Sequence, residues 1–363
     1  MAISDLRIKD FRNLKEVEIK PCETGINILY GDNGSGKTSL LEAIYYLGLG
    51  RSFRSSFINS IIHHSSSKFS LFAQLINNSQ RKIHIGIERE LTGSVRIRLD
   101  EKDTNAISEL ATLLPMRIIN SFSFQLFEAG PALRRKYLDW GLFYHNDQFL
   151  PCWRAFERVL KQRNSLLREK KSKSELEVWT LQLVQYGDEL NNLRKNYVLE
   201  LIPYIQSMIN ELLDIQNFKM DYQSGWNEEK NYSDVLNQNY HEELRLGTTQ
   251  LGPHRADLDI TINGLDIKHF LSRGQQKLLI CAMILAQGRL MTKHVNKQLI
   301  YLVDDLPSEL DNHSRNKLIS LLSRQPTQIF ITAIEKQMIG NFINDFGVTN
   351  KVFHVKHGDI TLE

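Results

Sequence analysis

The chain has 363 residues, 42% of them apolar and 24% charged, which is ordinary for a folded globular protein and indicates neither disorder nor membrane residence. Its length allows one large domain and a second, smaller one, since domains usually contain about 100 to 200 residues. The formal net charge of +3 at pH 7 is too small to indicate a nucleic-acid partner, so a prediction of DNA binding has to come from local clusters of basic residues.

The first third of the chain predicts a strand, a loop and a helix, followed by a β-meander. Apolar residues alternate from Ile3 to Ile8, and the apolar run 26–30 leads directly into a glycine-rich loop and a helix over 40–47. Three stretches rich in β-branched residues then predict antiparallel strands at 69–75, 83–88 and 95–99. A further strand is predicted at 116–119.

Long helical periodicity begins near Pro131. The side chains of Trp153, Phe156, Leu160 and Leu167 fit one helix face. A second series steps alternately by three and four residues and forms a heptad seam: Leu176, Trp179, Leu183, Tyr186, Leu190, Leu193 and Tyr197. We expect two helices packed as an antiparallel hairpin that projects from the core as an arm. The second would run over 176–201, roughly 39 Å at 1.5 Å per residue, and would kink or end at Pro203.

Strand patterns return in the last third. Alternating apolar residues at 258–262 and 265–267 flank Asn263-Gly264, which signals a hairpin with a type I′ turn. Further strands are predicted at 299–303, 329–332 and 352–355. The predicted fold is therefore an α/β core interrupted by a helical insertion, with boundaries at 1–130 for the first half of the core, 131–245 for the arm and 246–363 for the second half.

Two features of the sequence indicate the cellular compartment of the protein. Cys22, Cys152 and Cys281 lie far apart without CxxC or Cys/His spacing, which favours buried thiols over a zinc site or disulfides. The N-terminus has no apolar signal region, and no run approaches the roughly 18 apolar residues of a membrane span. We expect a cytoplasmic protein without a membrane partner.

Residues 31–38 match the phosphate-loop pattern GxxxxGK[ST] in full, between a predicted strand and a predicted helix. Glycines let backbone N–H groups converge on phosphate oxygens, Lys37 reaches the β- and γ-phosphates, and Thr38 can bind Mg²⁺. The sequence thus predicts ATP and Mg²⁺ as cofactors. The predicted nucleotide-binding residues of this loop are Gly31, Asp32, Asn33, Gly34, Ser35, Gly36, Lys37, Thr38 and Ser39.

An apolar strand ends in two carboxylates at Asp304 and Asp305, as expected of a Walker B motif. Asp304 is the second predicted metal ligand, holding Mg²⁺ through water, and Asp305 is in position to orient the attacking water as a general base. Residues 308–311, Ser-Glu-Leu-Asp, resemble the D-loop that follows Walker B in ABC-type ATPases.

Between the two Walker motifs lies the sequence Leu-Ser-Arg-Gly-Gln-Gln at 271–276, which resembles the ABC signature LSGGQ. Ser272 can cap the following helix, whose exposed N-terminal amides form an anion site, and Gly274 permits close backbone approach. In ABC-type ATPases the signature meets the nucleotide held by the opposite subunit. The resemblance therefore implies an ATP-dependent homodimer in which Ser272, Gly274 and Gln275 bind the partner's nucleotide and Ser272 takes part in catalysis.

Further stretches resemble the RecF family from residue 3 to the end of the chain. The opening Ile-Lys-Asp-Phe-Arg-Asn-Leu at 8–14 is similar to the start of RecF and SMC-like heads, in which the arginine, here Arg12, contacts nucleotide. Similar stretches occur at 50–54, 130–141, 252–255 and 331–334. The resemblance implies an α/β fold of the ABC-type ATPase head class, with a P-loop sheet, flanking helices, an antiparallel β part and an inserted helical arm.

The same resemblance implies the function and the partners. It implies a weak, DNA-dependent ATPase that dimerises on ATP at DNA gaps or at junctions between duplex and single strand. It also implies action with RecR and RecO to load RecA in recombinational repair and replication restart. Two rivals stay open, an SMC-like structural head and the nucleotide-binding subunit of a transporter, but the first needs a longer coiled coil and the second a membrane partner.

Some positions depart from the common ABC pattern. Residues 120–123 lack the Pro-Glu pair expected near the Q-loop, so no ligand role is assigned there. Thr332 stands where many ABC ATPases have a histidine, and Asp305 replaces the more usual glutamate. A shorter acid and no switch histidine predict slow turnover, which suits a clamp better than a motor.

Basic residues suggest where DNA could bind, with solvated surface charge as the equally weighted alternative. In the predicted arm they outnumber the acidic residues: Arg154, Arg158, Lys161, Arg163, Arg168, Lys170, Lys171 and Lys173. For the family-like arginines a plain surface or ion-paired role is favoured at each single position: Arg51, Arg54, Arg134, Arg135 and Arg255.

Overall fold

The computed structural model describes residues 1–77, 79–104, 106–295, 298–306, 310–325, 327–335 and 349–363. The chain divides into two compact units, the first formed by Met1–Phe124 with Asn296–Glu363 and the second by Gln125–Val295. The predicted arm over 131–245 lies inside the second unit. That unit also contains residues 246–295, which the sequence analysis assigned to the second half of the core.

The first unit carries two large sheets. Its strands are β1 (Ala2–Phe11), β2 (Leu14–Ile19), β3 (Gly25–Tyr30), β4 (Lys68–Ile76), β5 (Lys82–Glu90), β6 (Val95–Leu99), β7 (Lys102–Thr104), β8 (Met116–Ile119), β12 (Ile300–Val303), β13 (Gln328–Ala333), β14 (Asn350–Lys356) and β15 (Asp359–Leu362). Its helices are α1 (Lys37–Leu49), α2 (Ile107–Leu113) and α10 (Asn312–Ser323), with a short 3₁₀ turn at Ile58–Ser60.

The second unit is mainly helical. Its helices are α3 (Pro131–His145), α4 (Phe149–Arg168), α5 (Lys173–Leu212), α6 (Tyr232–Gln238), α7 (Tyr240–Leu246), α8 (Ile267–Phe270) and α9 (Arg273–Val295). Its strands are β9 (Phe218–Gln223), β10 (Asp257–Ile262) and β11 (Leu265–Asp266), and a 3₁₀ turn occupies Pro253–Arg255. Within the described residues, we find no helix with the length and apolar character needed to cross a membrane.

The sheet that will carry the site has the order β15-β14-β3-β13-β12-β8. Neighbouring strands from β14 to β8 are parallel, and only β15 is antiparallel. Parallel strands buried on both faces are nearly continuous apolar runs, as in β12 and β13, where every residue is buried. The carboxyl ends of β3, β13, β12 and β8 meet at one edge.

The other sheet of this unit is antiparallel, in the order β2-β1-β4-β5-β6-β7, and confirms the predicted meander. Helix α1 contacts strands of both sheets and is buried on almost every side. Three aromatic rings link it to the antiparallel sheet in edge-to-face contacts: Phe11–Phe69 at 5.1 Å, Tyr46–Phe69 at 5.2 Å and Phe11–Tyr46 at 6.1 Å. One apolar core therefore holds the phosphate-loop helix rigidly.

The predicted helical pair is present as α4 and α5, which pack against each other across a short connection. The prediction that α5 is kinked or ended at Pro203 was wrong about the end, because the helix continues to Leu212. Proline removes one backbone hydrogen bond, but the following turns are held by buried contacts. The buried residues after the proline are Ile205, Met208, Ile209 and Leu212.

The Asn263-Gly264 hairpin is confirmed, with positive φ at both residues (52° and 77°), as a type I′ turn requires. The second strand is shorter than predicted. Ile267 begins α8 instead of continuing the strand, because the Asp266 side chain accepts the N–H of Lys268 and caps the helix. The three cysteines are buried and free, as predicted.

Candidate nucleotide-binding site

The phosphate loop leaves β3 and enters α1 at the carboxyl edge of the parallel sheet. Gly31, Gly34 and Gly36 have φ values of 150°, 78° and 123°, a backbone conformation that residues with a side chain rarely adopt. A Cβ on Gly31 would lie 2.1 Å from the carbonyl oxygen of Val355. The glycine pattern is therefore needed for the backbone path of the loop.

Two distant segments fix this loop. Asn13 accepts a hydrogen bond from Ser39 Oγ at 2.7 Å and donates to the carbonyl of Gly34 at 3.2 Å. Gly358, in the turn between β14 and β15, donates its N–H to the carbonyl of Ser35 at 2.8 Å. Sequence reasoning missed both contacts; the signal was His357-Gly358 between two alternating strands, where positive φ at both residues again marks a tight turn.

The Lys37 ammonium folds back over the loop. Its Nζ donates to the carbonyls of Gly31 at 2.6 Å and Asp32 at 2.8 Å. Burial lowers the pKa of Lys37, while the charges of Asp305 and Asp304 raise it. The lysine therefore lies close to both carboxylates of the Walker B motif.

Asp304 follows β12 and lies directly beside the first turn of α1. Thr38 Oγ1 donates to Asp304 Oδ1 at 3.0 Å, and Thr332 Oγ1 donates to the same oxygen at 2.9 Å. Burial raises the pKa of Asp304, and these two hydrogen bonds lower it. The structure thus brings together the two residues predicted as metal ligands, although they are 266 positions apart in the chain.

Thr332 also holds the backbone of the second carboxylate. The N–H of Asp305 donates to Thr332 Oγ1 at 2.8 Å, and Asp305 has a left-handed φ of 54°. Because β13 lies between β3 and β12, its end is level with Asp304. The Asp305 side chain is exposed at the sheet edge, where it could contact water.

The residues present fit a magnesium–nucleotide pair. Thr38 and Asp304 offer hydroxyl and carboxylate oxygens, the ligand types that Mg²⁺ prefers. Ser35 Oγ in the loop is buried and has no hydrogen-bond partner within the described part of the chain, so it is available to a phosphate oxygen. Asp32, Asn33 and Gly34 are exposed on the outer side of the loop.

Arg12, predicted to contact nucleotide, is engaged within the protein. Its Nη2 lies 2.6 Å from Oε1 of Glu42 and its Nε lies 3.0 Å from Oε2, while Nη1 donates to the carbonyl of Ser60. Glu42 is on α1 and fully buried. Sequence reasoning gave no role to this glutamate, since an acidic residue in a helix is ordinary.

The signature loop belongs to the second unit. Ser272 Oγ accepts the N–H of Gln275 at 3.3 Å, and Gln275 Oε1 accepts the N–H of Ser272 at 3.0 Å, which is a reciprocal cap at the start of α9. Leu271 is buried, whereas the residues from Ser272 to Gln275 are exposed. A Cβ on Gly274 would meet nothing within 4 Å, so no contact inside the chain requires that glycine.

Two other predicted loops, the D-loop-like stretch and the segment after β8, make local contacts in the structure. In the D-loop-like stretch, Ser308 and Glu309 lie outside the described residues, and Asp311 caps α10 by accepting the N–H of Ser314 at 3.0 Å. After β8, Asn120 accepts the N–H of Ser123 at 2.9 Å. This closes a local turn and adds no nucleotide ligand.

Several family-like residues have structural partners within the second unit. Arg134 binds both carboxylate oxygens of Asp257, at 2.6 and 2.9 Å. Arg135 donates to the carbonyl of Ala256 at 2.7 Å. His254 Nε2 lies 3.0 Å from the carbonyl of Thr249, and burial lowers the pKa of His254 to about 4. These positions hold the unit together.

The basic residues of the arm divide into two groups. Arg163 is buried, because it lies on the same face of α4 as the apolar seam. It pairs with Glu243 at 2.8 Å and donates to Thr249 Oγ1 at 2.6 Å, so its assignment to the basic surface was wrong. The exposed basic residues are Arg154, Arg158, Lys161, Arg168, Lys170 and Lys173, and Lys171 is half-buried, 3.5 Å from Glu175.

Known proteins are similar to this chain over nearly its whole length. The RecF/RecN/SMC N-terminal domain family matches residues 2–358. The chain is 40% identical over 363 residues to the DNA replication and repair protein RecF of Cellvibrio japonicus, covering 99% of each chain. It is 41% identical over 363 residues to the protein of the same name from Shewanella denitrificans, covering 100% of this chain and 99% of that protein.

Solved structures agree with the fold. The recombination mediator protein RecF with ATP, described as part of the RecFOR pathway, has a TM-score of 0.87 and 25% identity, and the match covers 100% of this chain and 97% of that one. An Smc head bound to the C-terminal winged-helix domain of ScpA has a TM-score of 0.63 at 15% identity, covering 100% of this chain and 97% of that one, which shows a shared fold. The predicted ABC-type ATPase head is confirmed. With about 40% identity over its full length to curated relatives, the chain belongs to the RecF family of DNA replication and repair proteins.

Proposed function

We propose that this chain is an ATP-dependent DNA-binding protein of recombinational repair and replication restart, acting in the cytoplasm, in which slow hydrolysis of ATP is a switch. The observation that carries the proposal is the meeting of the phosphate loop and the Walker B carboxylate at one sheet edge, where Thr38 Oγ1 lies 3.0 Å from Asp304 Oδ1. Membership in the RecF family supports the step from nucleotide binding to DNA repair.

ATP would bind along the phosphate loop and the N-terminus of α1, where the helix dipole favours negative charge. Lys37 would exchange its two carbonyl partners for phosphate oxygens and gain stronger, charge-assisted hydrogen bonds. Thr38 and Asp304 would hold Mg²⁺, which when bound neutralises charge on the β- and γ-phosphates. Arg12 would add positive charge from the end of β1.

Asp305 would orient the attacking water and accept its proton. Its backbone is fixed by Thr332, so the carboxylate starts from a defined position. Aspartate reaches less far than the glutamate usual at this place, and Thr332 stands where many ABC-type ATPases have an assisting histidine. Slow turnover is the expected consequence, because a misplaced catalytic group costs rate steeply.

The signature loop supports a composite site between two copies of the chain. Its exposed residues, together with open space around Gly274, leave the N-terminus of α9 accessible to a phosphate brought from outside. Two loops meeting two nucleotides would form a head-to-tail homodimer. ATP then favours the dimer by its higher affinity for that state.

DNA would bind to basic surfaces aligned in the dimer. The exposed face of α4, with Arg154, Arg158 and Lys161 spaced by four and three residues, is one such surface. Contacts to phosphates release counterions, so affinity has to fall with salt. Because Arg163 is buried in an ion pair, its side chain contributes nothing to this surface.

Family membership supports a proposal about the partners. Two similar solved structures are described as RecF in the RecFOR pathway. We therefore propose RecO and RecR as partners, and the loading of RecA at gaps or at junctions of duplex and single strand as the outcome.

The decisive experiment compares ADP, ATP, and ATP with DNA. Analytical ultracentrifugation should give a monomer with ADP and a dimer with ATP and Mg²⁺. Fluorescence anisotropy should show tight duplex binding only in the ATP state, weakening as salt rises. ATP-independent assembly, or equal DNA affinity in both nucleotide states, would contradict the proposal.

A further inference from the structure

The phosphate-loop helix carries a fully buried carboxylate that ATP binding and hydrolysis as described above do not use. Glu42 lies four residues after Thr38 on α1, and its relative exposure is 0%. Burying a carboxylate is costly unless cations and hydrogen-bond donors surround it. Its partners come from two segments outside the helix, with Arg12 at the end of β1 and Ser52 and Arg54 in the loop after α1.

Arg12 forms a two-pronged ion pair with Glu42, described above, which is the strongest geometry for an arginine and a carboxylate. The backbone of Arg12 has a left-handed φ of 56°, and its N–H donates to the carbonyl of Ile61 at 2.6 Å. A residue without glycine's freedom keeps such a conformation only when its surroundings hold it. Glu42 therefore fixes the guanidinium, while the contact with Ile61 holds the turn at the end of β1.

Ser52 extends the same carboxylate into the next loop. Its hydroxyl donates to Glu42 Oε1 and accepts the N–H groups of Arg54 and Ser55, each at 2.9 Å. This is a serine turn, in which one hydroxyl sets the following backbone. The Arg54 Nη1 lies 3.5 Å from Glu42 Oε2. Glu42 thus positions Arg54 in two ways, directly through its charge and indirectly through the Ser52 turn.

Arg54 lies near the phosphate end of α1, because its partner Glu42 is one helical turn after Thr38 and so on the same face of the helix. Burial raises the pKa of Asp304, and the positive charge of Arg54 is among the effects that lower it. Thr38 Oγ1 in turn donates to Asp304 Oδ1 at 3.0 Å, which links this face of α1 to the Walker B motif. Half of the Arg54 side chain is exposed, which leaves the guanidinium accessible to an anionic ligand.

We propose that Glu42 is a positioning residue that couples the phosphate loop to Arg54. Its carboxylate is fixed on α1, the helix whose N-terminus receives phosphate, and it holds the Ser52 turn and Arg12 against that helix. The guanidinium of Arg54 is thereby held beside Glu42, one helical turn from Thr38. The role rests on the proposed ATPase function and adds a residue that selects for a bound nucleoside triphosphate.

A kinetic double-mutant cycle tests the coupling without touching α1. Arg54→Ala should lower kcat/KM for ATP about tenfold, the effect of one lost charge-assisted contact. Ser52→Ala should lower it about three- to tenfold, with some loss of thermal stability because the variant also removes a hydrogen bond to the buried carboxylate. Since Ser52 acts through Arg54, kcat/KM of the double variant with Ser52→Ala and Arg54→Ala should be no lower than that of Arg54→Ala alone. Fully multiplicative losses would overturn the coupling while leaving ATPase function intact; a parent protein that does not hydrolyse ATP would overturn both.

Glu42→Gln tests the carboxylate itself, and Glu243→Gln is its matched control. Glu243 is also fully buried and pairs with a buried arginine, at 2.8 Å, in the second unit. Both variants should lose thermal stability, but only Glu42→Gln should lower kcat/KM, by about tenfold. The Arg54→Ala effect should then vanish in the Glu42→Gln background. Equal activity losses in the two variants, or a parent-like rate in Glu42→Gln, would contradict the role; should Glu42→Gln fail to fold, the Ser52 cycle decides.

Discussion

Replacing Thr332 by valine removes one hydroxyl from the edge of the parallel sheet and leaves the side-chain volume almost unchanged. This hydroxyl donates to Asp304 Oδ1 at 2.9 Å and accepts the N–H of Asp305 at 2.8 Å, and Thr332 is 1% exposed. Losing a hydrogen bond to a charged group costs about 1.5 to 3 kcal/mol, and leaving a buried N–H unpaired costs about 1 to 3 kcal/mol. Because Thr38 still bonds Asp304, we expect the free energy of unfolding to fall by about 2 to 4 kcal/mol.

The same change should weaken magnesium binding in a pH-dependent way. Burial raises the pKa of Asp304, and the hydrogen bond from Thr332 opposes that rise. Valine removes the opposing effect, so the pKa rises further and protons compete with Mg²⁺ at higher pH. The Mg²⁺ concentration needed for ATP binding should therefore increase, and the difference from the parent protein should widen as the pH falls.

Thr327→Val is the control for this test. Thr327 is equally buried, and its Oγ1 has no hydrogen-bond partner within the described part of the chain. Urea unfolding followed by circular dichroism measures stability, and titration of a fluorescent ATP analogue with Mg²⁺ measures the site. The reasoning is refuted if Thr332→Val matches Thr327→Val within about 0.5 kcal/mol and shows the magnesium dependence of the parent protein.

Four further predictions follow from the site and the second unit. Lys37→Ala should weaken ATP binding sharply by removing a charge-assisted contact, and an unchanged affinity in equilibrium titration would contradict this. Asp305→Asn should bind ATP, hydrolyse it more slowly than the parent protein and stay dimeric longer. Asp304→Asn should lose magnesium-dependent ATP binding. Identical behaviour of the two variants in the binding and hydrolysis assays would refute the division of roles. Ser272→Arg should spare ATP binding but abolish ATP-driven dimerisation and duplex binding, as measured by ultracentrifugation and anisotropy, and a monomeric variant with parent-like DNA affinity would break the link. Burial lowers the pKa of His254 to about 4, so on acidification this histidine binds a proton in the unfolded chain before it does so in the folded one. The free energy of unfolding should therefore fall from about pH 6.5 toward pH 4. In urea unfolding, His254→Gln should reduce this dependence of stability on pH.

Local patterns predicted most of the elements that hold the site. The apolar run that became β12, the glycine spacing before α1 and the Asn263-Gly264 turn each carry their structural reason within a few residues. The approach of Thr38 to Asp304 was also predictable, because parallel strands place their carboxyl ends at one edge. Family resemblance supplied the significance of the exposed loop at Ser272.

Contacts between remote segments were not predictable from local patterns. Glu42 occupies an ordinary helical position, and only the core around α1 makes it a buried partner of Arg12. Arg163 belongs to a basic run by composition, yet helical spacing turns it toward Glu243. Strand β9 was missed because its alternation, with Phe218 and Met220 buried, is short and set among polar residues. In each case tertiary burial decided the role of the residue.

The order of strands in the parallel sheet has a consequence for synthesis on the ribosome. Strands β3 and β8 leave the ribosome early, but their neighbours β13 and β12 follow only after the whole second unit. At about 5 to 20 residues per second, that unit of roughly 170 residues takes on the order of 10 to 30 seconds to make. During this interval the nascent chain carries apolar strands with unpaired edges, a state prone to aggregation. The second unit can fold while β12 and β13 are still being made, so the nucleotide site is completed last. We expect a stalled or truncated product to have an exposed apolar sheet and no ATPase site.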